Sequence, residues 1–397
     1  MRVLKRTPRS IALVLTLAIV THLSTVATGA AVFNNSRASL SPQKPSNLAA
    51  RFARLRRGVN LSHWFSQAPI YTKEHLEAHT TAADISLIKS MGFDHVRFPI
   101  EPAPLLIDTP DPSILNSTYL QYVDRALDMI LAAGLVVVID IHPSEEFKLS
   151  MNRDERGIEA FVKFWRAFAT HLSKRDPEFV FLEVINEPMV VDAYRWYGIQ
   201  GKLIAAIRAV APNHTIIASG HRWSGLSEML FLEPYADANV IYNFHFYEPF
   251  AFTHQGATWA GPNLPFYKNV PYPSSPEAVQ ALLNTIEDEP ARYNLLRYGE
   301  DNWNAARIDR ELGVAAAWAT KRHVFITCNE FGAFRKVVRA GDRVTVVHRP
   351  DHGVTARLAF RALTRERELL PQLLAAGDDL PEELRDMARA GETYHLS

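Results

Sequence analysis

Seven short apolar runs, at residues 58–61, 95–100, 135–141, 179–185, 215–219, 240–246 and 324–328, recur along this chain with helix-patterned segments between them. Several are apolar almost throughout, as burial on both faces demands. Their alternation with helices is that of βα units building a parallel sheet. Helices are expected at 81–91, 119–133, 157–173, 197–210 and 303–321, the first two stopped by Gly92 and Gly134. A length of 397 residues accommodates two average domains or one barrel of about 250 residues or more. The fold class is therefore α/β with a parallel sheet over residues 51–337, in which seven βα units are visible where a TIM barrel needs eight.

Reactive side chains cluster where these runs end. The run 179–185 closes in Asn186-Glu187-Pro188, and the run 324–328 in Asn329-Glu330-Phe331-Gly332. Arg97 lies near the end of the second run and His142 at the end of the third, while His245 and Tyr247 finish the sixth. Singly, each has an ordinary structural reading, as a buried ion-pair partner, a satisfied core histidine or a core aromatic. Together they occupy the C-terminal strand ends, where parallel barrels build active sites. Two glutamates on two such strands suit a pair working on opposite sides of one bond, as in hydrolysis of a sugar linkage.

Charge and cysteine content narrow the partners. Lys plus Arg equals Asp plus Glu at 43 each, so no global field favours nucleic acid or a membrane surface, and a neutral substrate fits. Cys328 is the single cysteine, which excludes an intramolecular disulfide. It lies inside an apolar run with nothing nearby in sequence to activate it, and reads as a buried structural thiol. A metal-dependent hydrolase would want a His-x-His motif with further His and Asp at strand ends, and the histidines here do not form one.

The ordered set Arg97, His142, Asn186-Glu187-Pro188, His245-x-Tyr247 and Asn329-Glu330-Phe331-Gly332 resembles glycoside hydrolase family 5, the cellulase family of retaining β-glycanases, from about Arg57 to Lys336. The resemblance implies a (β/α)8 barrel hydrolysing a β-1,4-linked glucan or a related glycan such as mannan. It implies Glu330 as nucleophile and Glu187 as the acid that becomes the base. Arg97 and Tyr247 would favour the charged form of Glu330, Asn186 would bond the sugar's 2-hydroxyl, and His142 and His245 would complete the polar floor. No metal or organic cofactor is implied, and the partner is a β-linked polysaccharide or oligosaccharide met by a monomer. Because sugar rings present apolar faces, Trp64, Trp223 and Trp259 are the expected stacking platforms. His63 and His221 would border the cleft.

Both ends depart from the barrel pattern. Arg2, Lys5, Arg6 and Arg9 precede the apolar stretch 11–20, and small residues at 27–30 offer a cleavage site. Residues 1–30 thus read as an export signal, leaving a secreted or periplasmic protein without stable membrane insertion. Residues 31–50, rich in Ser, Asn, Ala and Pro, read as a flexible lead-in. Residues 248–304 read as a long aromatic loop walling the cleft. Family members usually end their eighth strand in a tryptophan, and none follows Trp318 here. Beyond Lys336 there is no Lys, Ile, Asn or Cys, so residues 338–397 form an atypical segment, by frame shift or fusion. Within it 343–348 is a candidate replacement strand, and 358–374 and 380–390 candidate amphipathic helices. An unclosed barrel would leave Glu330 on an edge strand, which motivates the alternative of a catalytically impaired, polysaccharide-binding relative.

Overall fold

In the computed structural model, residues 47–107 and 111–334 are described, together with the backbone of 342–346 and 358–362. The expectations for residues 1–46 and 380–390 lie outside the described residues. Seven parallel strands form one sheet in chain order: β1 Gly58–Asn60, β2 His95–Ile100, β3 Val136–Ile141, β4 Val180–Glu183, β5 Thr215–Ser219, β6 Val240–His245 and β7 Ile326–Glu330. They make a nearly closed barrel, with the expected helices crossing between strands. Each apolar run yields its strand, although β7 extends two residues further than the apolar run and so includes Glu330.

Local chemistry explains the crossovers. The helix Ala82–Ser90 opens in a capping box, Thr81 with Asp84, which satisfies two otherwise orphaned N–H groups. The helix Glu155–Leu172 starts at an Asp154 cap and buries Ile158, Phe161, Phe164, Trp165, Phe168, Ala169 and Leu172 on one face. That spacing of three and four residues is a single helical stripe. Trp165 also donates to the Val184 carbonyl at 2.8 Å, tying the helix to the strand that carries the first glutamate. Truncating such a buried aromatic to alanine costs about 3–5 kcal/mol.

Alternation along the strands then sorts the residues into two compartments. Val137, Ile139, Leu182, Ile216, Tyr242, Phe244 and Ile326 point outward and join the main core beneath the helices. Val136, Val138, Phe181, Ile217 and Ile241 form a second cluster, within which Phe52 and Leu55 also pack. Phe52 belongs to the short helix Leu48–Phe52 and stacks on Phe325 at 4.5 Å, so this helix corks the N-terminal end of the barrel. Residues 48–50 are therefore helix rather than flexible lead-in; their apolar side chains have a barrel floor to cover.

No ladder joins β1 to β7 among the described residues. A side chain spans the seam instead: Asn60 donates from Nδ2 to the Asn329 carbonyl at 3.0 Å. The segment 343–348 does contain a strand, β8 Asp342–Val346, but it pairs antiparallel with β9 Leu358–Ala362 in a separate two-stranded sheet. It is not the missing barrel strand, and 358–362 is strand where a helix is expected. A hairpin partner of matching length gives both segments their backbone bonds locally.

Residues 250–304 are also more ordered than a loop. They carry the helices Phe250–Thr253, Pro276–Leu283 and Glu289–Glu300 and a 3-10 turn at Leu264–Phe266. Val279, Leu283, Leu295 and Tyr298 give this insertion its own buried side. Phe334, just past β7, donates its backbone N–H to the Thr253 carbonyl, which anchors the insertion beside the second glutamate.

Candidate active site

The inward-facing positions turn polar toward the C-terminal ends of the strands. Arg97 of β2, fully buried, is the hub. Its Nε and Nη2 make a two-pronged contact with Glu183 of β4 at 2.9 and 2.8 Å. Asp140 of β3 lies 3.1 Å from Nη2, and Glu330 of β7 accepts from Nη1 at 2.6 Å. Asn243 and Asn329 donate to the same Glu183 carboxylate at 3.3 and 2.7 Å. Burial opposes the guanidinium charge, but Asp140, Glu183 and Glu330 outweigh it and hold the Arg97 pKa well above its ordinary value. This cation is permanent.

Simple alternation cannot aim two successive side chains into one cleft, yet both Asn-Glu pairs do so. On β7 the register slips between Phe244 and His245 of its neighbour, so that His245 pairs with Glu330. This bulge lets Asn329 reach Glu183 while Glu330 reaches Arg97. On β4 the device is different: Glu187 adopts φ +43°, a left-handed conformation that a side chain disfavours. Strain of this kind is kept at functional sites.

The two glutamates meet. Oxygens of Glu187 and Glu330 and a ring nitrogen of His245 all lie within 4.8 Å of one another. His245 Nδ1 is 2.9 Å from Glu187 Oε1 and 3.5 Å from Glu330 Oε2. The Tyr247 hydroxyl donates to Glu330 Oε2 at 2.9 Å. Their surroundings differ: the Glu330 side chain is 9% exposed and pinned by Arg97 and Tyr247, whereas that of Glu187 is 25% exposed. Burial pushes Glu187 up, but the hydrogen bond from His245 leaves its pKa below the ordinary carboxylate value. Burial disfavours a charged His245, but Glu330 and Glu187 raise its pKa. Burial and then Glu330 push Tyr247 well above its usual value, so it remains a neutral donor.

The triad has the spacing of a cation site, but two of its members already face positive or hydrogen-bonding partners. Arg97 Nη1 already sits 2.6 Å from Glu330, placing a fixed positive charge at one carboxylate, and His245 Nδ1 is committed to the other.

His142 directly follows β3, with Nδ1 3.0 Å from Asp140 and Nε2 3.2 Å from the Asn186 amide nitrogen. Burial pulls its pKa down to about 3, so the ring is neutral. The structure therefore brings Arg97, His142, Asn186, Glu187, His245, Tyr247 and Glu330 into one constellation, spread over five strands of one barrel mouth.

The cellulase model of glycosyl hydrolase family 5 matches residues 56–347. The chain belongs to that family. Similar proteins include endoglucanase C of Acetivibrio thermocellus, 29% identical over 69% of this chain and 80% of that protein. Cellodextrinase A of Ruminococcus flavefaciens is 32% identical over 53% of this chain and 63% of its own length. Among solved structures, Thermotoga maritima Cel5A in complex with cellobiose superposes with TM-score 0.56 and 27% identity, covering 72% of this chain and 82% of that one. Structures of the same protein with mannotriose give the same TM-score and identity. This family-5 protein is a glycoside hydrolase.

Of the three tryptophans, Trp223 and Trp259 are 49% and 62% exposed, and Trp64 is 2% exposed. Trp223 sits on a turn in which Arg222, Trp223 and Ser224 all take positive φ, and its backbone N–H donates to the Pro188 carbonyl at 2.9 Å. That bond ties its presentation to the Glu187 segment. Trp259 meets His254 and Phe334 edge-on. Trp64 is not a platform: it packs against Phe65 and Phe98 and donates Nε1 to the Leu76 carbonyl at 2.9 Å. His63 is held through Nδ1 against the Gln67 carbonyl at 3.1 Å, and His221 is buried beside Phe231. Sequence reasoning missed Asp140, Glu183, Asn243 and Lys148. The first three have a signal, a polar residue at an inward position of an otherwise apolar strand. Lys148, buried in the short helix after His142 and adding a positive charge that acts on Asp140, His142 and Glu187, has none.

Proposed function

We propose that this family-5 hydrolase is an exported, monomeric, retaining endo-β-glycanase that cleaves β-1,4-linked glucan by two successive displacements. One observation carries the mechanism: the Glu187 and Glu330 oxygens lie within 4.8 Å. Retaining enzymes hold their carboxyls about 5–5.5 Å apart, and inverting ones about 6.5–9.5 Å. Glu330, held by Arg97 at 2.6 Å and by the Tyr247 hydroxyl at 2.9 Å, attacks the anomeric carbon. Glu187 protonates the departing oxygen, then takes a proton from the water that attacks the same carbon. Glu187 and His245, 2.9 Å apart, hold one proton between them, His245 raised and Glu187 lowered by their contact, and that shared proton is the one delivered to the leaving oxygen. The names of the relatives support β-glucan as substrate, and the mannotriose complex of the Thermotoga protein supports some breadth. The basic and then apolar character of residues 1–30 supports export.

Proton NMR of the first product formed from a soluble cello-oligosaccharide tests the stereochemistry, with the β-anomer expected. An initial α-anomer overturns the double displacement. Glu330→Gln and Glu187→Gln should each lose at least about 10²-fold in kcat. Near-normal turnover in either ends its assignment.

A second reading rests on the seam between β1 and β7, where no described strand intervenes. If that gap displaces Glu330 during turnover, the protein binds glucan without cutting it. Purified protein that is retained on insoluble glucan yet releases no reducing ends would establish that reading.

A further inference from the structure

Three hydrogen bonds and one ion-pair contact close a ring beneath the sugar-facing side of the site. Arg97 Nη2 lies 3.1 Å from Asp140 Oδ2. The same oxygen is 3.0 Å from His142 Nδ1. His142 Nε2 is 3.2 Å from Asn186 Nδ2, and Asn186 Oδ1 accepts from Arg97 Nη2 at 3.0 Å. Hydrogen-bonding capacity leaves one way to fill it. A guanidinium only donates, so the carboxamide must turn its oxygen toward Arg97 and its nitrogen toward His142. A carboxylate only accepts, so the single proton of a neutral imidazole sits on Nδ1, and Nε2 is the bare acceptor that the amide requires.

Asn186 thereby has its oxygen and one N–H occupied from below, and its second N–H is the group left over for a ligand. Turning the amide would set its NH2 against the guanidinium, two donors face to face.

We propose that Asp140 is a positioning residue: acting through His142, it fixes Asn186 so that the amide meets the sugar's 2-hydroxyl as a hydrogen-bond donor. This deepens the proposed glycosidase reading and rests on it. Asp140 touches no reacting atom. Its contribution is to select the imidazole tautomer, and through it the polarity of a contact that tightens as the anomeric carbon becomes cationic.

The test pairs a variant with a substrate that lacks the contact. With an aryl β-cellobioside, Asp140→Leu should lose roughly 10- to 100-fold in kcat/KM, mainly in kcat. With the analogue deoxygenated at C2 of the ring being attacked, the same variant should match wild type within about 2-fold, because the contact is already gone. Asp140→Asn, which can still place an oxygen between Arg97 and His142, should keep most of the 2-hydroxyl preference. Equal losses of Asp140→Leu on both substrates would mean a merely structural role and overturn the proposal. Should that variant not fold, 15N NMR of the wild-type imidazoles decides: a proton on His142 Nδ1 is required, and one on Nε2 overturns the proposal. Wild type hydrolysing neither substrate overturns the glycosidase reading, whereas the NMR result bears on Asp140 alone.

Discussion

Asn60 and Asn329 join the first strand of the barrel to the seventh through a 3.0 Å hydrogen bond from side chain to backbone. The same Asn60 carboxamide accepts from Arg97 Nη1 at 3.1 Å, and that Nη1 also donates to Glu330. One side chain thus spans the seam and orients the nucleophile's cation. Asn60→Ala orphans a buried carbonyl and one guanidinium bond, at about 1–3 kcal/mol each. The expected outcome is a melting point lower by several degrees with a fall in kcat, measured by calorimetry and reducing-sugar release. An unchanged kcat would show that Arg97 does not need this support.

Trp223 and Trp259 are exposed, so their loss should barely affect stability. If they stack on sugar rings, Trp223→Ala and Trp259→Ala each forfeit about 1–2 kcal/mol of binding, roughly a 5- to 30-fold rise in KM on long oligosaccharides. Turnover of a short aryl glycoside should be nearly unaffected. Trp64→Ala should do the reverse, lowering stability by about 3–5 kcal/mol because it empties a core site. Melting curves and KM values for the three variants separate these roles.

Gly220 precedes the turn that presents Trp223. A Cβ there would stand 2.5 Å from the backbone carbon of Glu228 and the backbone nitrogen of Met229. Backbone cannot step aside as a side-chain tip can. Gly220→Ala should therefore cost about 1–3 kcal/mol and raise KM by moving Trp223. Unfolding midpoints in urea give the first quantity and oligosaccharide kinetics the second.

Acid sensitivity follows from histidines that burial, partial at His79 and fuller at His214, keeps neutral. Burial pulls His79 down to about 4, helped by His75 and His63, and pulls His214 to about 4. A histidine with a depressed folded pKa contributes stability above its unfolded value of 6.5, and that contribution drains away as pH falls toward 4. Asp140, raised by burial to about 6, works in the opposite sense: its contribution is present below 3.8 and lost as pH rises through 6. His79→Gln removes one proton-binding difference. Its melting point should fall less than that of wild type between pH 6.5 and pH 4, by about 2–4 °C. Parallel curves for the two proteins would refute the assignment.

Much of this was legible in the residues because a parallel barrel writes itself twice, in apolar strands and in what ends them. Asn186-Glu187 and Asn329-Glu330 could be placed at strand ends without coordinates. How each pair turns both side chains the same way could not, since a bulge and a left-handed φ leave no compositional trace. Trp64 misled because a residue just past a strand can turn into the cleft or under the adjoining loop, and Phe65 and Phe98 draw it under. The insertion looked like a loop because its helices are short, and those at Pro276–Leu283 and Glu289–Glu300 carry proline in their first turns. Asp140 and Glu183 carry a weaker signal, because a charge one layer below the strand tips reads in sequence like any interior ion-pair partner.

The left-handed backbone of Glu187 carries a cost that only catalysis justifies. A glycine at that position would relax the chain and remove the proton donor together. Lineages under selection for heat resistance alone would drift toward that exchange, trading turnover for a sturdier shell.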